Sequence, residues 1–421
     1  MFVTIPEEKT FKSDLDFLTK VLDLPEFKVV WYELDEERKE LKLVCEHRHS
    51  YGICSICKQV SNSHHQSVWR QVRDLPAFGY KVFVLFLGRR FNCEHCESPF
   101  TELLQSIGFR RRHTKRFEQD VYQRAQEKSI SATMREVQLG YTATAGAFYR
   151  QARLAQERTP RETFRVLGID EIALKKGHKD FILILSDLER HIVLDVLPDR
   201  KKATLENWID ELSEKERKCI LVVSIDMWRP YALAIKGRLP SAALVADRFH
   251  VTKNLHKALD RARRDIQRHL DKDIQQQVKG CRWPLLKPRE KLSVKQETKL
   301  MQVYNACPAL RTFHLLKEEF HLIFDKIHDS KQAERFLLAW RTKAEQSGSK
   351  HLIKFANTLR NWWTEILNYF KERVTNGFVE GINNRIKLIK RRGYGYLNIE
   401  NFKMRVLSEC GRSPTLGAHY L

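Results

Sequence analysis

The sequence lacks long hydrophobic runs. Its longest apolar stretch is VFVLFL at residues 82–87, whereas a helix that crosses a bilayer needs roughly 18 consecutive apolar residues. It also lacks a recognisable signal peptide. The opening MFVTIPEEKTFK is acidic and mixed, where a signal peptide would place a basic stretch before an apolar one. The sequence therefore gives no support to a membrane-spanning or exported protein, and we expect a cytoplasmic one.

Acidic residues are scarce relative to basic ones. The chain has 53 aspartates and glutamates against 75 lysines and arginines, a net charge of +22 at pH 7, and its isoelectric point is near 9.6. Such an excess is typical of proteins that contact the phosphate backbone of nucleic acids. A basic but unspecialised surface is the alternative. Because the cations concentrate in particular segments, we expect double-stranded DNA as the partner and association with the nucleoid.

The cysteine pattern does not indicate a disulfide framework. The count is nine, an odd number, and two CxxC pairs, Cys54/Cys57 and Cys93/Cys96, are separated by 35 residues with strand-like stretches. Two such pairs at the ends of hairpins can present four thiolates tetrahedrally to Zn²⁺. A redox pair or free thiols are the alternatives. We predict a zinc-binding, β-rich module over residues 47–105, after an N-terminal segment, residues 1–46, whose role the pattern does not reveal.

A basic segment with helical patterning begins near residue 109. Two short amphipathic stretches flank Gly140 and Tyr141, and helix, glycine turn, helix is the order of a helix-turn-helix, whose second helix, about 143–153, would enter a major groove. An ordinary pair of helices is the alternative. We predict a helix-turn-helix domain over residues 106–160. Its candidate DNA-binding cations are Arg110, Arg111, Arg112, Lys115, Arg116 and Arg150.

From residue 161 to residue 250 the pattern changes to strands, in the order βββαβαβ. This order predicts a mixed sheet with helices packed on it. Three strand-like runs, VLGID, LVVSID and ALVAD, end in Asp170, Asp226 and Asp247. Ligand sites in such sheets lie beyond the carboxyl ends of the strands, and carboxylates are preferred ligands of hard divalent cations. The pattern therefore predicts a carboxylate metal site at this edge of the sheet.

The rest of the chain has helical patterning. Residues 251–374 read as an all-α insertion, and residues 375–421 as the last part of the core with a basic tail. If residues 378–391 are helical, an apolar stripe that includes Ile382, Ile386 and Ile389 faces the core, and Glu380 lies on the opposite face. An ordinary solvated helix face is the alternative. Candidate DNA-binding cations on this segment are Lys387, Lys390, Arg391 and Arg392.

Taken jointly, these blocks closely resemble the transposases of the bacterial ISL-three insertion-sequence family. The resemblance covers nearly the whole chain and rests on GRRFNCEHC, the helix-turn-helix, LGIDEIALKKGH, SIDMWRPY, ADRFHVTKNL and NGFVEGINNRIKLIKRRGYGY. It implies an α/β, ribonuclease-H-like catalytic core with an all-α insertion, preceded by the zinc module and the helix-turn-helix. It also implies an Asp-Asp-Glu triad that works with two Mg²⁺ or Mn²⁺ ions.

The resemblance implies Asp170 and Glu380 as the first and last metal-binding acids of the triad. For the middle acid the ribonuclease-H-like order favours Asp226, at the end of the fourth strand, and Asp247 is the alternative. His250 would then form a supporting pair with Asp247 next to the site.

The activity that the resemblance implies is that of a DDE transposase. Such an enzyme binds the terminal inverted repeats of an insertion sequence and catalyses metal-dependent DNA cleavage and strand transfer, and we expect a homo-oligomer on the DNA by analogy. Two alternatives stay open from the sequence: a non-catalytic, transposase-derived DNA-binding regulator, and a structure-specific nuclease on the same fold.

Overall fold

The computed structural model describes residues 12–174, 181–374 and 377–412. The chain divides into two compact units, Met1–Glu157 and Arg158–Leu421. Within the described ranges, every helix is too short or too polar to pass through a bilayer.

The first unit begins with a helix and seven strands. Their bounds are α1 Lys12–Leu22, β1 Phe27–Asp35, β2 Glu40–His47, β3 Gly52–Ile53, β4 Val60–Ser61, β5 His64–Arg73, β6 Lys81–Cys93 and β7 Ser98–Thr101. A five-stranded sheet has the order β1-β2-β6-β5, with β7 paired to β6, and β3 and β4 form a separate small hairpin. Strands β2 and β6 are parallel and the other pairs of this sheet are antiparallel.

Strand β6 organises this sheet. Its residues Val82, Val84 and Phe86 are buried and alternate with more exposed neighbours, as expected for a strand with one face on a core. That face packs against Phe27 and Val29 of β1. The N-terminal strands, whose role the sequence did not reveal, therefore share one sheet and one core with the strands that lead to the second cysteine pair.

Three helices complete the first unit: α2 Lys115–Gln126, α3 Ile130–Val137 and α4 Tyr141–Arg158. Thr114 and Ser129 cap α2 and α3 by accepting hydrogen bonds from backbone N–H groups, which satisfies donors that the first helical turn leaves open. A tight turn joins α3 to α4 where the sequence predicts one. The left-handed residue in this turn is Gln138, with φ of 53°, and α4 starts at Tyr141, slightly before the predicted position.

The second unit is built on a mixed sheet. Its strands and the helices between them are β8 Val166–Ala173, β9 Phe181–Asp187, β10 Ile192–Leu197, α5 Lys202–Asp210, α6 Glu214–Cys219, β11 Val222–Ile225, α7 Arg229–Arg238 and β12 Ala243–Ala246. The strand order is β10-β9-β8-β11-β12. The first three strands pair antiparallel, and β11 and β12 run parallel to β8. The predicted mixed α/β architecture is confirmed, with α6 as an additional short helix.

The remainder of the second unit is helical, as predicted. The helices are α8 Arg248–His269, α9 Lys272–Val278, α10 Arg282–Leu286, α11 Val294–Ala306, α12 Pro308–Lys326, α13 Ser330–Gln346, α14 Lys350–Asn361, α15 Trp363–Glu372, α16 Gly377–Arg392 and α17 Ile399–Cys410, with a 3-10 turn at Arg289–Lys291. The predicted apolar stripe of α16 is buried: Ile382, Ile386 and Ile389 belong to one core cluster with Ile172 of β8 and Ile184 of β9. This packing points the opposite face of α16 away from the core.

Gly52 allows the close packing of the first unit beside the cysteine pairs. A Cβ atom at this position would lie 2.5 to 3.0 Å from three ring carbons of Phe91, which is fully buried. We therefore expect Gly52→Ala to destabilise this unit by about 1 to 3 kcal/mol, the usual cost of overpacking, as measured by denaturant unfolding. Gly237→Ala is the control, since Gly237 lies in α7 with open space around it, and alanine there should be neutral or stabilising. Equal unfolding free energies for both variants would contradict this account.

Candidate active site and zinc site

Two matching turns carry the four cysteines of the CxxC pairs. Cys54 and Cys57 lie between β3 and β4, while Cys93 ends β6 and Cys96 precedes β7. The four Sγ atoms all lie within 4.8 Å of one another, and Sγ of Cys57 is 3.5 Å from Sγ of Cys93. The two pairs that the sequence predicts to act together therefore converge on one point.

Each pair is followed by a residue in the left-handed region, Lys58 with φ of 65° and Glu97 with φ of 48°. These residues turn the chain back, so that the amide of Cys54 donates to the carbonyl oxygen of Gln59 at 2.9 Å and β4 can pair with β3. In the second turn the amide of Cys96 donates to Sγ of Cys93 at 3.4 Å. Amides aimed at sulfur stabilise thiolates, the form that binds metals.

The pKa values of two of the thiols, Cys54 and Cys96, are shifted in opposite directions. Backbone amides of Cys57 and Ile56 lower the pKa of Cys54 to about 7. Hydrogen bonding to Cys57, together with burial, raises the pKa of Cys96 to about 12. Four thiolates at this separation repel one another, so a divalent cation is needed before all four can lose their protons.

The carboxyl edge of the second unit's sheet brings together three ionisable side chains. Asp170 lies within β8, which continues past the predicted strand end to Ala173, and Asp226 directly follows β11. Because these strands are parallel and pair Ile169 with Ile225, the two aspartates are side by side. His250, from the first turn of α8, completes a group whose ligand atoms all lie within 4.8 Å of one another.

Asp247 has a different environment from Asp226. It is buried and caps α8, with Oδ1 accepting from the amide of Phe249 at 2.7 Å and Oδ2 lying 2.8 Å from Nδ1 of His250. The same Nδ1 also forms a close ion pair with Oδ1 of Asp226. Burial lowers the pKa of His250, but Asp226 and Asp247 outweigh this effect and raise it to about 9.

Asp170 is held by a residue that the sequence reasoning missed. Nδ2 of Asn383 on α16 donates to Oδ2 of Asp170, and the amide of Glu171 donates to Oδ1 at 2.7 Å. Burial raises the pKa of Asp170, Asn383 partly opposes this, and the charge of Asp226 raises it further. The spacing in the sequence could have indicated this residue. Asn383 lies three residues after Glu380, so the two occupy neighbouring positions on the surface of α16.

Glu380 lies in the first turn of α16 and is exposed. It is outside the 4.8 Å group of Asp170, Asp226 and His250. It nevertheless lines the same cleft as Asp170, Asn383 and His250. This cleft has a volume of about 540 Å³.

The predicted DNA-binding cations fall into two classes. Arg110, Arg111, Arg112 and Lys115 are exposed beside α2, and Lys387 and Arg391 are exposed on α16. The other four have structural partners. Arg116 pairs with buried Asp74, Arg150 with Glu118, Lys390 with the carbonyl oxygen of Ala173 at 2.9 Å, and Arg392 with Glu409.

Family models match both parts of the chain that carry these clusters. The model of the ISL3 DDE domain, described as a transposase, matches residues 167–406, the part with the acidic group and the cleft. A second model, described as the zinc-finger of transposase IS204/IS1001/IS1096/IS1165, matches residues 50–96, which contain all four clustered cysteines. This chain belongs to the ISL3 family of transposases.

Two relatives extend over most of this ISL3 transposase. The transposase for insertion sequence element IS1001 of Bordetella parapertussis is 32% identical over 359 residues, 84% of this chain and 87% of the relative. The transposase for insertion sequence element IS1557 of Mycobacterium tuberculosis is 25% identical over 377 residues, 83% of this chain and 84% of the relative. The predicted family and DNA transposase activity are confirmed, and neither the regulator nor the structure-specific nuclease is favoured.

The residues of both clusters fit the metal ions that the family implies. Four cysteine sulfurs are the ligand set of a structural zinc ion. Asp170 and Asp226 offer the oxygen ligands that magnesium and manganese prefer. Oδ1 of Asp226 is buried and, among the residues that the structure describes, receives no hydrogen bond of regular geometry. It forms an ion pair with His250, which a divalent cation would replace.

Replacement of Cys57 by serine should remove zinc from this ISL3 transposase, because the zinc ion would lose one of its four thiolate ligands. We expect the zinc content of the purified protein, measured by mass spectrometry of the metal, to fall from one ion per chain to a small fraction. Cys219→Ser is the matched control, since Cys219 is half-buried at the end of α6, and it should keep its zinc. Retention of a full equivalent by Cys57→Ser would exclude the four-sulfur site.

Proposed function

We propose that this transposase binds the terminal inverted repeats of an insertion sequence, cuts the DNA at the repeat and joins the freed end to target DNA, using Asp170, Asp226 and Glu380. One observation carries this proposal. Adjacent parallel strands bring Asp170 and Asp226 together, and α16, which carries Glu380, contacts Asp170 through Asn383. Asp170 and Glu380, which are distant in sequence, thus line one cleft together with Asp247, and Asp226 lies beside Asp170.

The sheet supports a ribonuclease-H-like core as the finer fold assignment. Three antiparallel strands followed by two parallel strands, in the order β10-β9-β8-β11-β12, put the first acid on the central strand and the second on its neighbour. In this assignment residues 161–250 and 375–421 form the core and residues 251–374 form the insertion. The first unit then comprises the N-terminal segment 1–46, the zinc module 47–105 and the helix-turn-helix 106–160.

Asp226 is our choice for the middle acid, for a reason of hydrogen bonding. Both oxygens of Asp247 have protein partners, and its side chain caps α8. Asp226 is about one quarter exposed and, among the residues that the structure describes, forms an ion pair with His250 alone. Loss of Asp247 would thus disturb the start of α8 and the position of His250, whereas loss of Asp226 would remove a metal ligand.

The reaction needs an in-line displacement at phosphorus. Divalent ions held by the three acids would activate water and stabilise the departing 3′ oxygen. The protein's own part is to hold the acids in place: Asn383 orients Asp170, and cationic His250 offsets the charges of Asp226 and Asp247. Strand transfer is a second displacement of the same kind, with the freed 3′ hydroxyl as nucleophile, so the same residues serve both steps.

Specificity for the repeats comes, in our proposal, from the first unit. Helix α4 would enter the major groove, and Arg110, Arg111, Arg112 and Lys115 would contact phosphates, which position the protein without reading sequence. Lys387 and Arg391 would contact phosphates near the cleft. We omit Arg116, Arg150, Lys390 and Arg392 from this set because of their structural partners.

We also propose that the transposase acts on the chromosome as a dimer or larger assembly. A reaction that joins two ends of one element to a target requires two ends to be held together. Light scattering of the protein with a duplex that carries the repeat should then give at least two chains per complex. In cells, we expect the protein to be located with the nucleoid.

The assignment of the acids predicts how single variants behave. Cleavage of a duplex taken from the DNA that flanks the gene should disappear in Asp170→Ala, Asp226→Ala and Glu380→Ala, because each loses a metal ligand, while zinc content and duplex binding persist. Asp247→Ala should keep measurable cleavage and lose thermal stability, because it removes the α8 cap. Activity in Asp226→Ala together with none in Asp247→Ala would reverse the choice of the middle acid.

Asn383 is a positioning residue, and its variant gives a second test. Asn383→Ala removes the donor to Asp170, so the magnesium concentration for half-maximal cleavage should rise by about tenfold to a hundredfold, the usual effect of losing a hydrogen bond to a metal ligand. Cleavage at saturating magnesium should recover in part. A normal magnesium dependence would mean that this hydrogen bond does not position Asp170.

A further inference from the structure

Helix α8 exposes a stripe of cations that the proposed site does not use. The α8 stripe consists of Lys253, Lys257, Arg261, Arg264 and Arg268, all exposed. At 100° per residue the five positions fall within an arc of about 80°, and they extend over about 22 Å of helix. Val251, Leu255 and Leu259, on the opposite side of the helix, are buried in the core.

The acids on α8 do not neutralise the middle of the stripe. Its two aspartates pair with the C-terminal end of the stripe and with residues outside it: Asp260 with Arg263, Arg264 and Arg282, and Asp265 with Arg268, Lys350 and His351. In the described part of the chain, Lys257 and Arg261 have no ion pair with an acid. Like charges four residues apart destabilise a helix, so Lys253, Lys257 and Arg261 oppose the helix that carries them.

The stripe starts at the active-site cleft. Lys253 lines this cleft together with Asp170 and Glu380, and its Nζ lies 5.5 Å from the centre of the Phe249 ring. From that point the stripe runs along α8 toward its C-terminus. A polyanion that enters the cleft can therefore contact Lys253, Lys257 and Arg261 in succession.

We propose that the α8 stripe binds the phosphate backbone of duplex DNA and guides it into the cleft. Within the described residues, the stripe cations without an acid partner are Lys253, Lys257 and Arg261, which span about 12 Å of helix and so correspond to roughly three phosphates of one strand, at 3.4 Å per phosphate along the axis. The stripe reads no sequence, since its side chains are point charges for phosphate. This inference rests on the proposed transposase function and adds a DNA path that neither the helix-turn-helix nor α16 provides.

The test measures the salt dependence of duplex binding by the full-length protein. The probes are a duplex taken from the DNA that flanks the gene and a scrambled duplex of the same composition. Each lost phosphate contact lowers the slope of log affinity against log salt by about 0.9. The double variant Lys257→Ala/Arg261→Ala should therefore lose about two units of slope, equally on both probes, and cut more slowly at subsaturating DNA. Its thermal stability should be unchanged or higher, because like charges are removed.

Two control variants separate a local effect from an effect of total charge. Lys331→Ala/Arg335→Ala removes a lysine and an arginine with the same spacing from exposed positions of α13, and it should leave the slope unchanged. Lys257→Arg/Arg261→Lys keeps the charge and should keep the slope.

An unchanged slope in the alanine double variant, or an equal loss in the α13 control, would overturn the proposal. The proposed catalytic function is judged separately, by cleavage in the Asp170→Ala protein. Failure of the α8 stripe and failure of the acid assignment are therefore distinguishable.

Discussion

Two carboxylates on adjacent parallel strands share one small space, and their mutual repulsion is the constraint around which the second unit is arranged. Unit charges 4 Å apart repel by about 4 kcal/mol at an effective dielectric constant of 20. The fold opposes this with donors from three directions: the amide of Glu171, the side chain of Asn383 on α16 and the imidazole of His250 on α8. Helices α8 and α16 both reach this point, where they contribute His250 and Asn383.

Repulsion between like charges also acts in the first unit, where the charged groups are the thiolates of the four clustered cysteines. Its four thiols can all ionise only with a cation among them, and in both turns backbone amides donate to a cysteine sulfur, to Cys54 in the first and to Cys93 in the second. The difference lies in exposure. Cys54 and Cys93 are buried under Phe91 and Phe100, which suits a closed structural site, whereas the acids open onto a cleft, which leaves room for a reacting phosphate.

The closeness of Asp170 and Asp226 could be predicted from the direction of the strands, whereas contacts that depend on how distant elements pack could not. Asp170 and Asp226 were predictable because strand ends meet at one edge of a parallel sheet. Asn383 was not, since the direction of an amide side chain follows from how α16 packs on β8, β9 and β10. The pairing of β2 with β6 was hidden for a similar reason, because parallel partners carry no turn signal between them.

The cations show most clearly what a charge count leaves undecided. Arg116 and Arg150 resemble the exposed arginines near them, but their partners, Asp74 and Glu118, lie 42 and 32 residues away in the chain. Cations of this kind stabilise the fold and are already neutralised. Lys387 and Arg391 instead stand four residues apart on one exposed helix face, where each weakens the helix by repelling the other. Such an arrangement is unfavourable for the isolated protein and becomes favourable once a polyanion lies along it. The proposed DNA contacts therefore rest on exposed neighbouring cations such as these and not on the total charge.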